Sequence, residues 1–280
     1  MRLRHALLSA ALGTALSTTA VVTSAQPGSA AAPPRYVALG DSVAAGIGAG
    51  SLGKGQDDCW INKEQGIRVP NAARAYPRRV AAALGAKLDF KAFCGANTRQ
   101  VIAEQLGTLN KRTKLVTVQV GANNYGFTGV VMRCILASGG SVCHDDIAKV
   151  QQDFATKLDR DLGKVYRLIR EKAENARVLV IGYPKVVRQT GTPCYGDGLM
   201  ARASRQRLNG AAHTLNDVTR IAAGKHDFEF VEAEQAFKGH AICDKPEWIN
   251  GLSLPTVESF HPNALGHRAY GWLIWQKVRP

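Results

Sequence analysis

The sequence predicts an α/β protein in which helices cover both faces of a central parallel sheet. Short apolar segments typical of buried strands recur along the chain, and segments with helical periodicity separate them. Connections of this kind join parallel strands and place helices on both sides of the sheet. Glycine and polar residues follow several of the strands directly, at the edge where such folds form their functional crevice.

The first 32 residues have the pattern of a secretory signal peptide. A basic start precedes an apolar run over residues 6–22, and small residues at 29–32 offer a cleavage site. A membrane anchor is the alternative, but polar residues at 17–19 interrupt the apolar run. We therefore expect residues 1–32 to be removed during export, with an approximate cleavage site, and the protein to be secreted.

Residues 33–280 are expected to form a single domain and a monomer. Their number, 248, suits one α/β domain with a substantial core. No later apolar run reaches the roughly 18 residues that a membrane span needs, so we expect no transmembrane segment. The formal net charge of +14 favours anionic surfaces such as phospholipid headgroups. Lysine and arginine are scattered and aromatic residues are few, so nucleic acid is not an expected partner.

All six cysteines lie in the part of the chain that is expected to be exported. An even number of cysteines in an oxidising compartment predicts disulfides, and Cys134 and Cys143 are close enough to favour a local bridge. There is no Cys-x-x-Cys pair, and the acidic pairs at 57–58 and 145–146 lack ligand spacing. We therefore expect no metal site, and nothing in the sequence indicates a cofactor.

The first strand is Tyr36–Leu39, an apolar segment that ends where a glycine and an aspartate turn the chain toward Ser42. Segment 46–55 contains too many glycines for a helix, and we interpret it as a flexible loop beside Ser42. A proline in the first turn and a glycine after the last turn predict a helix over 76–84. Alternating polar and apolar residues then predict a strand at 87–93.

The middle of the chain continues the same alternation of strands and helices. Asn97 or Thr98 is expected to cap the next helix, and Leu115–Val120 is the clearest strand in the sequence. An insertion of helix or loop is expected around 127–136. Apolar residues at helical spacing then predict a long helix over 147–172.

The last third of the chain repeats the pattern and ends in a helix. A run of β-branched residues indicates one strand, and a shorter apolar segment indicates the last. The expected elements are a strand at 177–182, a helix at 199–223, a strand at 227–231, a long loop at 232–260 and a helix opened by His261 and Pro262 that runs to about residue 278.

Three strand ends offer chemically matched groups. Ser42 has a hydroxyl, Gly95 has a backbone N–H with no side chain in the way, and Asn123 has a side-chain amide. Attack of Ser42 on an ester carbonyl creates an oxyanion, which the N–H groups of Ser42 and Gly95 and the amide of Asn123 can bind. Each residue alone also fits an ordinary turn, but their combination predicts a hydrolytic site.

The base for this serine is expected to be His261, one of seven histidines. It lies where a loop meets the last helix, so its imidazole can lean toward the crevice. A neutral imidazole can accept the serine proton and later donate it to the leaving alcohol. The other histidines lie in the signal segment, in helices or in loops near cysteines.

The blocks Gly40–Ser42, Gly95, Gly121–Asn123 and His261 resemble those of the SGNH (GDSL) hydrolase family. The resemblance spans nearly all of residues 33–280 and is greatest to secreted actinobacterial lipases and esterases, which share the six-cysteine layout. It implies a flavodoxin-like three-layer α/β/α sandwich. It also implies Ser42 as nucleophile, His261 as base and an oxyanion hole formed by Ser42, Gly95 and Asn123. The disulfides that it implies are Cys59–Cys94, Cys134–Cys143 and Cys194–Cys243.

One position departs clearly from the family pattern. The family usually has aspartate three residues before the histidine, and this chain has Glu258 there. Either the longer Glu258 side chain orients His261, or a backbone carbonyl such as that of Ser259 does so, or the site is impaired. A carbonyl oxygen can hold the imidazole as a carboxylate does, so all three interpretations stay open. A milder departure is Asn124, where aspartate often follows the asparagine of the third block.

The sequence therefore predicts a secreted serine carboxyl-ester hydrolase that acts through an acyl-Ser42 intermediate. Lipase, phospholipase and general esterase activities are all compatible with it, and the expected partner is an ester or lipid at a lipid–water interface. The alternatives are a polysaccharide acetylesterase and a non-catalytic lipid- or carbohydrate-binding protein on a hydrolase scaffold.

Overall fold

The computed structural model describes residues 32–50, 73–136, 143–191, 201–254 and 256–279. The described residues from Pro33 onward belong to one compact unit. Residues 1–31 of the predicted signal peptide and the second half of the predicted glycine-rich loop, residues 51–55, lie outside this part of the chain. Among the described residues, no helix combines the length and apolar character that crossing a membrane requires.

Five parallel strands form the central sheet in the order β2-β1-β3-β4-β5. Strand β1 pairs with both β2 and β3, and Tyr36 lies opposite Leu88 on one side and Leu115 on the other. This order confirms the predicted flavodoxin-like sheet, whose crevice opens where the strand order reverses, between β1 and β3. The strands are β1 (Arg35–Gly40), β2 (Lys87–Phe90), β3 (Thr113–Gln119), β4 (Arg177–Ile181) and β5 (Glu229–Val231).

Helices cover both faces of the sheet and complete the three layers. The connection from β1 to β2 and the connection from β2 to β3 run in opposite directions across the sheet. Because such crossovers are right-handed, their helices lie on opposite faces. The described helices are α1 (Ser42–Ala45), α2 (Tyr76–Leu84), α3 (Thr98–Gln100), α4 (Phe127–Leu136), α5 (His144–Asp153), α6 (Asp159–Lys172), α7 (Arg202–Gly224) and α8 (Ala264–Val278). Helix α2 packs against α8 on one face, and α5 and α6 pack against α7 on the other.

Several boundaries differ from the sequence prediction. Strand β2 ends at Phe90 rather than at 93, although Lys91 and Ala92 still donate their N–H groups to the carbonyl of Ala38. The predicted helix over 147–172 begins at His144, and a π-helical turn, Phe154–Leu158, separates it into α5 and α6. Periodicity alone does not reveal such a turn, because one extra residue leaves the apolar face nearly continuous.

Two helix starts are set by asparagine caps. Asn97 caps α3 in a capping box with Gln100, and α3 then passes into a π-helical turn, Val101–Gln105. The last helix begins at Ala264, because the side chain of Asn263 accepts hydrogen bonds from the first free N–H groups. His261 and Pro262 therefore precede α8 and do not open it, which leaves His261 on a turn.

One predicted disulfide is present among the described residues. Cys134 of α4 is bonded to Cys143, which directly precedes α5. Cys94 and Cys243 are also disulfide-bonded. Their predicted partners, Cys59 and Cys194, lie outside the described residues, so the other two pairings stay predictions.

Gly40 occupies the last position of β1, where a side chain does not fit. Its φ is 136°, and a Cβ there would collide with the carbonyl oxygen of Gln119. We expect Gly40→Ala to lower the free energy of unfolding by about 3 kcal/mol or more, because it adds both a steric clash and backbone strain. Urea unfolding followed by circular dichroism measures this change.

Gly210→Ala in the middle of α7 is the control, since a Cβ there meets nothing within 4 Å. It should leave stability unchanged or raise it by up to about 1 kcal/mol through helix propensity. Equal stability of Gly40→Ala and the wild type would contradict the prediction.

Candidate active site

Ser42 follows the end of β1 by two residues and is the first residue of α1. The side chain of Asp41 caps this helix, accepting a hydrogen bond from the N–H of Val43 at 3.0 Å. The N–H of Asp41 donates to the carbonyl of Gln119 at 2.9 Å, which joins the turn to β3. Helix α1 is one turn long and ends at Gly46. These local hydrogen bonds, rather than a long helix dipole, therefore position Ser42.

The buried side chain of Gln105 is hydrogen-bonded to the backbone of Gly40, the residue that precedes Asp41 and Ser42. The N–H of Gly40 donates to Oε1 of Gln105 at 2.7 Å, and Nε2 of Gln105 donates to the carbonyl of Gly40 at 2.9 Å. Gln105 ends the π-helical turn that follows α3. A buried amide with both ends hydrogen-bonded fixes the orientation of the peptide that it contacts. Sequence analysis missed Gln105, because a glutamine that follows Glu104 in a helical segment has no local feature that marks it as buried.

Ser42 and His261 lie 219 residues apart in sequence and meet at the carboxyl edge of the sheet. The distance between Ser42 Oγ and His261 Nε2 is 2.7 Å. On the other side of the ring, His261 Nδ1 lies 2.9 Å from the carbonyl oxygen of Ser259. A carbonyl can only accept, so the proton belongs on Nδ1 and the lone pair of Nε2 faces the serine hydroxyl. This arrangement suits transfer of the Ser42 proton to His261.

The surroundings of His261 keep its imidazole neutral. Desolvation by burial lowers the pKa of His261 to about 4, and hydrogen bonds to the backbone carbonyls of Ser259 and Val257 act in the opposite direction. A neutral ring at neutral pH leaves the lone pair of Nε2 available to accept a proton.

Glu258 contributes its backbone rather than its carboxylate to this turn. Its carbonyl accepts hydrogen bonds from the N–H of His261 at 3.3 Å and from Nδ2 of Asn250 at 3.2 Å. Burial raises the pKa of its side chain. Because the Ser259 carbonyl is the acceptor at Nδ1 of His261, the geometry agrees with the second of the three interpretations from the sequence.

Asn250, which sequence analysis also missed, fastens the His261 turn to the loop that follows Ser42. Its side chain donates to the carbonyl of Gly48 at 3.1 Å, and its N–H donates to the carbonyl of His261 at 2.9 Å. The carbonyl of Asn250 accepts from the N–H of Phe260 at 2.9 Å. Phe260 has a φ of 64°, an unfavourable conformation for a bulky residue that surrounding contacts must maintain.

The start of the glycine-rich segment packs tightly against His261. A Cβ at Gly48 would lie 2.8 Å from the Cβ of His261, and residues 46–49 are buried. This part of the segment is therefore a packed turn and not the flexible loop that the sequence predicted. Residues 51–72 lie outside the described part of the chain.

Asn123 follows β3, and its side-chain amide has a defined orientation. Its Oδ1 accepts a hydrogen bond from the hydroxyl of Thr128 at 2.8 Å, and its Nδ2 donates to the carbonyl of Ala96 at 3.1 Å. An amide nitrogen carries two hydrogens, so the second N–H of Asn123 is available to a ligand.

Gly95 follows β2 and has a φ of 76°, the left-handed conformation that favours glycine. A Cβ there would meet nothing within 4 Å, so space is not the constraint. Asn124 joins this strand end to that of β3, because its Oδ1 accepts from the N–H of Thr98 at 3.1 Å and its Nδ2 donates to the Thr98 hydroxyl at 2.7 Å. The departure at Asn124 is thus accommodated by hydrogen bonds between the second and third blocks.

Within the described ranges, no group of three or more histidine, cysteine, aspartate or glutamate side chains is arranged to hold a metal ion.

Comparison with known proteins identifies a family for this chain. The model of the GDSL-like lipase/acylhydrolase family matches residues 38–269. Lipase 1 of Streptomyces coelicolor is 36% identical over 258 residues, which is 91% of this chain and 90% of that protein. A lipase of Streptomyces rimosus is 35% identical over 232 residues, which is 82% of this chain and 81% of that protein.

Solved structures agree with this relationship. Phospholipase A1 from Streptomyces albidoflavus has a TM-score of 0.78 and 34% identity, covering 89% of this chain and 100% of that one. The extracellular lipase from Streptomyces rimosus has a TM-score of 0.77 and 33% identity, covering 88% and 100%. An acetylxylan esterase from Geobacillus stearothermophilus, with a TM-score of 0.51 and 13% identity, shares the fold. With the family match spanning most of its length, the chain belongs to the GDSL-like lipase/acylhydrolase family.

Proposed function

We propose that the protein is a secreted serine carboxyl-ester hydrolase of the lipase or esterase type, acting through an acyl-Ser42 intermediate. The observation that carries the proposal is the 2.7 Å hydrogen bond between Ser42 Oγ and His261 Nε2. Family membership supports it, and relatives of this chain are named lipase and phospholipase A1. The export pattern of residues 1–32 and the extracellular relative support secretion.

In the first half of the proposed reaction, Ser42 Oγ forms a bond to the ester carbonyl carbon while its proton passes to Nε2 of His261. The carbonyl oxygen becomes an oxyanion, which accepts hydrogen bonds from the N–H groups of Ser42 and Gly95 and from the amide of Asn123. One such donor is typically worth about 3 kcal/mol of activation free energy. The tetrahedral intermediate then expels the alcohol, which takes the proton from His261, and acyl-Ser42 remains.

In the second half, water replaces the alcohol. His261 accepts a proton from water as the water oxygen attacks the acyl carbon, and the same donors bind the second oxyanion. The bond from the acyl carbon to Ser42 Oγ breaks, and His261 returns the proton to Oγ. The carboxylic acid leaves and the enzyme is restored.

The first prediction from the proposed function tests Ser42 as the nucleophile. Ser42→Ala removes the attacking oxygen, so fatty-acid release from esters should fall about 10⁴-fold or more. Titration of released acid across acyl chains of graded length measures the loss, and covalent labelling by a fluorophosphonate probe should disappear. The same panel distinguishes an acetylesterase, which would act on acetyl esters and spare long chains.

Ser204→Ala is the matched control for this variant. Ser204 Oγ also contacts a histidine, lying 3.0 Å from His144 Nε2 at the start of α7, and neither residue belongs to the proposed catalytic set. We expect its turnover and labelling to equal those of the wild type. Turnover by Ser42→Ala at the wild-type rate would exclude the proposed mechanism.

The second prediction tests what supports His261. Because the Ser259 carbonyl accepts from Nδ1, Glu258→Gln should keep kcat within about twofold of the wild type, whereas His261→Gln should lose about 10⁴-fold or more. Steady-state kinetics on a soluble short-chain ester measure both variants. A loss of a hundredfold or more in Glu258→Gln would assign the orienting role to the carboxylate instead.

The location of exposed apolar side chains supports a lipid–water interface as the site of action. The described residues include five large apolar side chains that are well exposed, and three of them, Leu252, Leu254 and Leu265, flank His261 in sequence. Leu254 is 90% exposed. The formal net charge, +14 for the whole sequence and +12 without the two arginines of residues 1–32, adds attraction to anionic lipid surfaces. We propose that Leu252 and Leu254 contact the surface of aggregated lipid substrate.

The third prediction tests this contact. Leu252→Ser combined with Leu254→Ser should reduce hydrolysis of anionic phospholipid vesicles or emulsified long-chain esters at least tenfold, because burying one leucine is worth about 1.5–3 kcal/mol. Hydrolysis of a soluble short-chain ester should change by less than about twofold.

Ile221→Ser is the control for the leucine variant. Ile221 is 57% exposed and lies in the last turn of α7, the helix that leads to the amino end of β5. It should leave both activities unchanged. Parallel loss on soluble and aggregated substrates, or an equal loss in Ile221→Ser, would reject the proposed contact.

A further inference from the structure

Tyr183 lies outside the four blocks but reaches into the candidate site. It follows the end of β4 by two residues, and its side chain is buried. Its hydroxyl donates to Oδ2 of Asp41 across a distance of 2.5 Å, although the residues are 142 positions apart. Because β3 lies between β1 and β4, this hydrogen bond passes across the carboxyl end of β3.

Asp41 uses both carboxylate oxygens to hold the Ser42 turn. Oδ1 caps α1 through the N–H of Val43, and Oδ2 accepts the hydroxyl of Tyr183. Burial raises the pKa of Asp41 to about 7, and the hydrogen bonds from Tyr183 and from the backbone act in the opposite direction. Burial raises the pKa of the phenols of Tyr76 on α2 and Tyr270 on α8, and the charge of this carboxylate raises the pKa of both further. A displacement of Asp41 would move Ser42, its neighbour in sequence.

The phenol of Tyr183 is held in its protonated form. Burial raises the pKa of Tyr183, and the neighbouring carboxylate of Asp41 raises it further. The hydroxyl therefore stays a proton donor to Asp41 in the nucleophile turn.

The backbone of Tyr183 has little freedom to adjust. Its N–H donates to Oδ1 of Asn216 at 2.8 Å, and Nδ2 of Asn216 donates to its carbonyl at 2.7 Å. Asn216 lies on α7 and is fully buried. The phenol thus extends from a fixed point on β4, and the position of its hydroxyl is set by the sheet and by α7.

We infer that Tyr183 is a positioning residue that, through Asp41, fixes the Ser42 turn relative to β4 across the carboxyl end of β3. The inference rests on the proposed function and adds to it a residue that touches neither the ester nor the reacting atoms. The nucleophile and the oxyanion donor must be placed together to a few tenths of an ångström for the transition state to be stabilised. The hydrogen bond from Tyr183 to Asp41 holds the nucleophile turn in place beside the end of β3, the strand that leads to Asn123.

The test compares Tyr183→Phe with the wild type on a soluble short-chain ester. Loss of the hydroxyl should lower kcat about tenfold to a hundredfold, as expected for misplaced reacting groups, with KM within about twofold. The rate of Ser42 modification by a fluorophosphonate should fall in parallel, because that reaction uses the same nucleophile and donors.

Tyr166→Phe on α6 is the matched control. Tyr166 is also buried, and its hydroxyl has no hydrogen-bond partner among the described residues. Removing it should leave kcat, KM and the labelling rate unchanged. Thermal unfolding of both variants, with assays at least 15 °C below the lower Tm, ensures that only folded enzyme is compared.

A double-mutant cycle with Asp41→Asn tests whether Tyr183 acts through Asp41. If it does, Tyr183→Phe should cost less in the Asp41→Asn background than in the wild type. A wild-type kcat in Tyr183→Phe, or losses that multiply fully in the double variant, would overturn the inference while the proposed function stands. Lack of ester hydrolysis by the wild type would remove both.

Discussion

The hydrogen bond between Ser42 and His261 depends on two turns that the fold must hold rigidly against each other. The Ser42 turn is bonded to Gln119 of β3 and to Gln105 beyond β2. The His261 turn is bonded to Asn250, and Asn250 reaches back to Gly48 in the loop after Ser42. Neither turn belongs to a long helix or strand at the reacting residue, so the 2.7 Å contact is maintained by these bonds and by the close approach of Gly48.

The group that accepts a hydrogen bond from Nδ1 of His261 is a neutral backbone carbonyl and not a carboxylate. A buried carboxylate at the same position would need partners to offset its desolvation. The Ser259 carbonyl avoids that cost and still fixes the ring and its tautomer. The hydroxyl of Ser259 in turn accepts from the N–H of Ser253 at 3.0 Å. Ser253 lies between the exposed Leu252 and Leu254, so the proposed lipid contact is two hydrogen bonds away from the imidazole.

Amide side chains perform most of the positioning at this edge of the sheet. Gln105 and Asn216 each bond to both a donor and an acceptor of nearby backbone, and Nδ2 of Asn250 donates to two backbone carbonyls. Turns at strand ends leave buried backbone groups without ladder partners, and an amide satisfies one of each kind with no net charge. The hydrogen bond between the hydroxyl of Tyr183 and the carboxylate of Asp41 likewise connects the turn after β4 to the turn after β1.

Local patterns in the sequence determined the succession of strands and helices along the chain and the candidate residues at strand ends. They favoured the Cys134–Cys143 bridge and narrowed the cap of α3 to Asn97 or Thr98. Each of these depends on neighbouring residues or on periodicity, which a single sequence displays. The tertiary structure alone decided that a carbonyl rather than Glu258 faces His261, that Asn263 begins α8, and that Gln105 and Tyr183 hold the nucleophile turn. Those outcomes depend on which distant segments pack together, and residues 142 positions apart, such as Asp41 and Tyr183, share no local signal in the sequence.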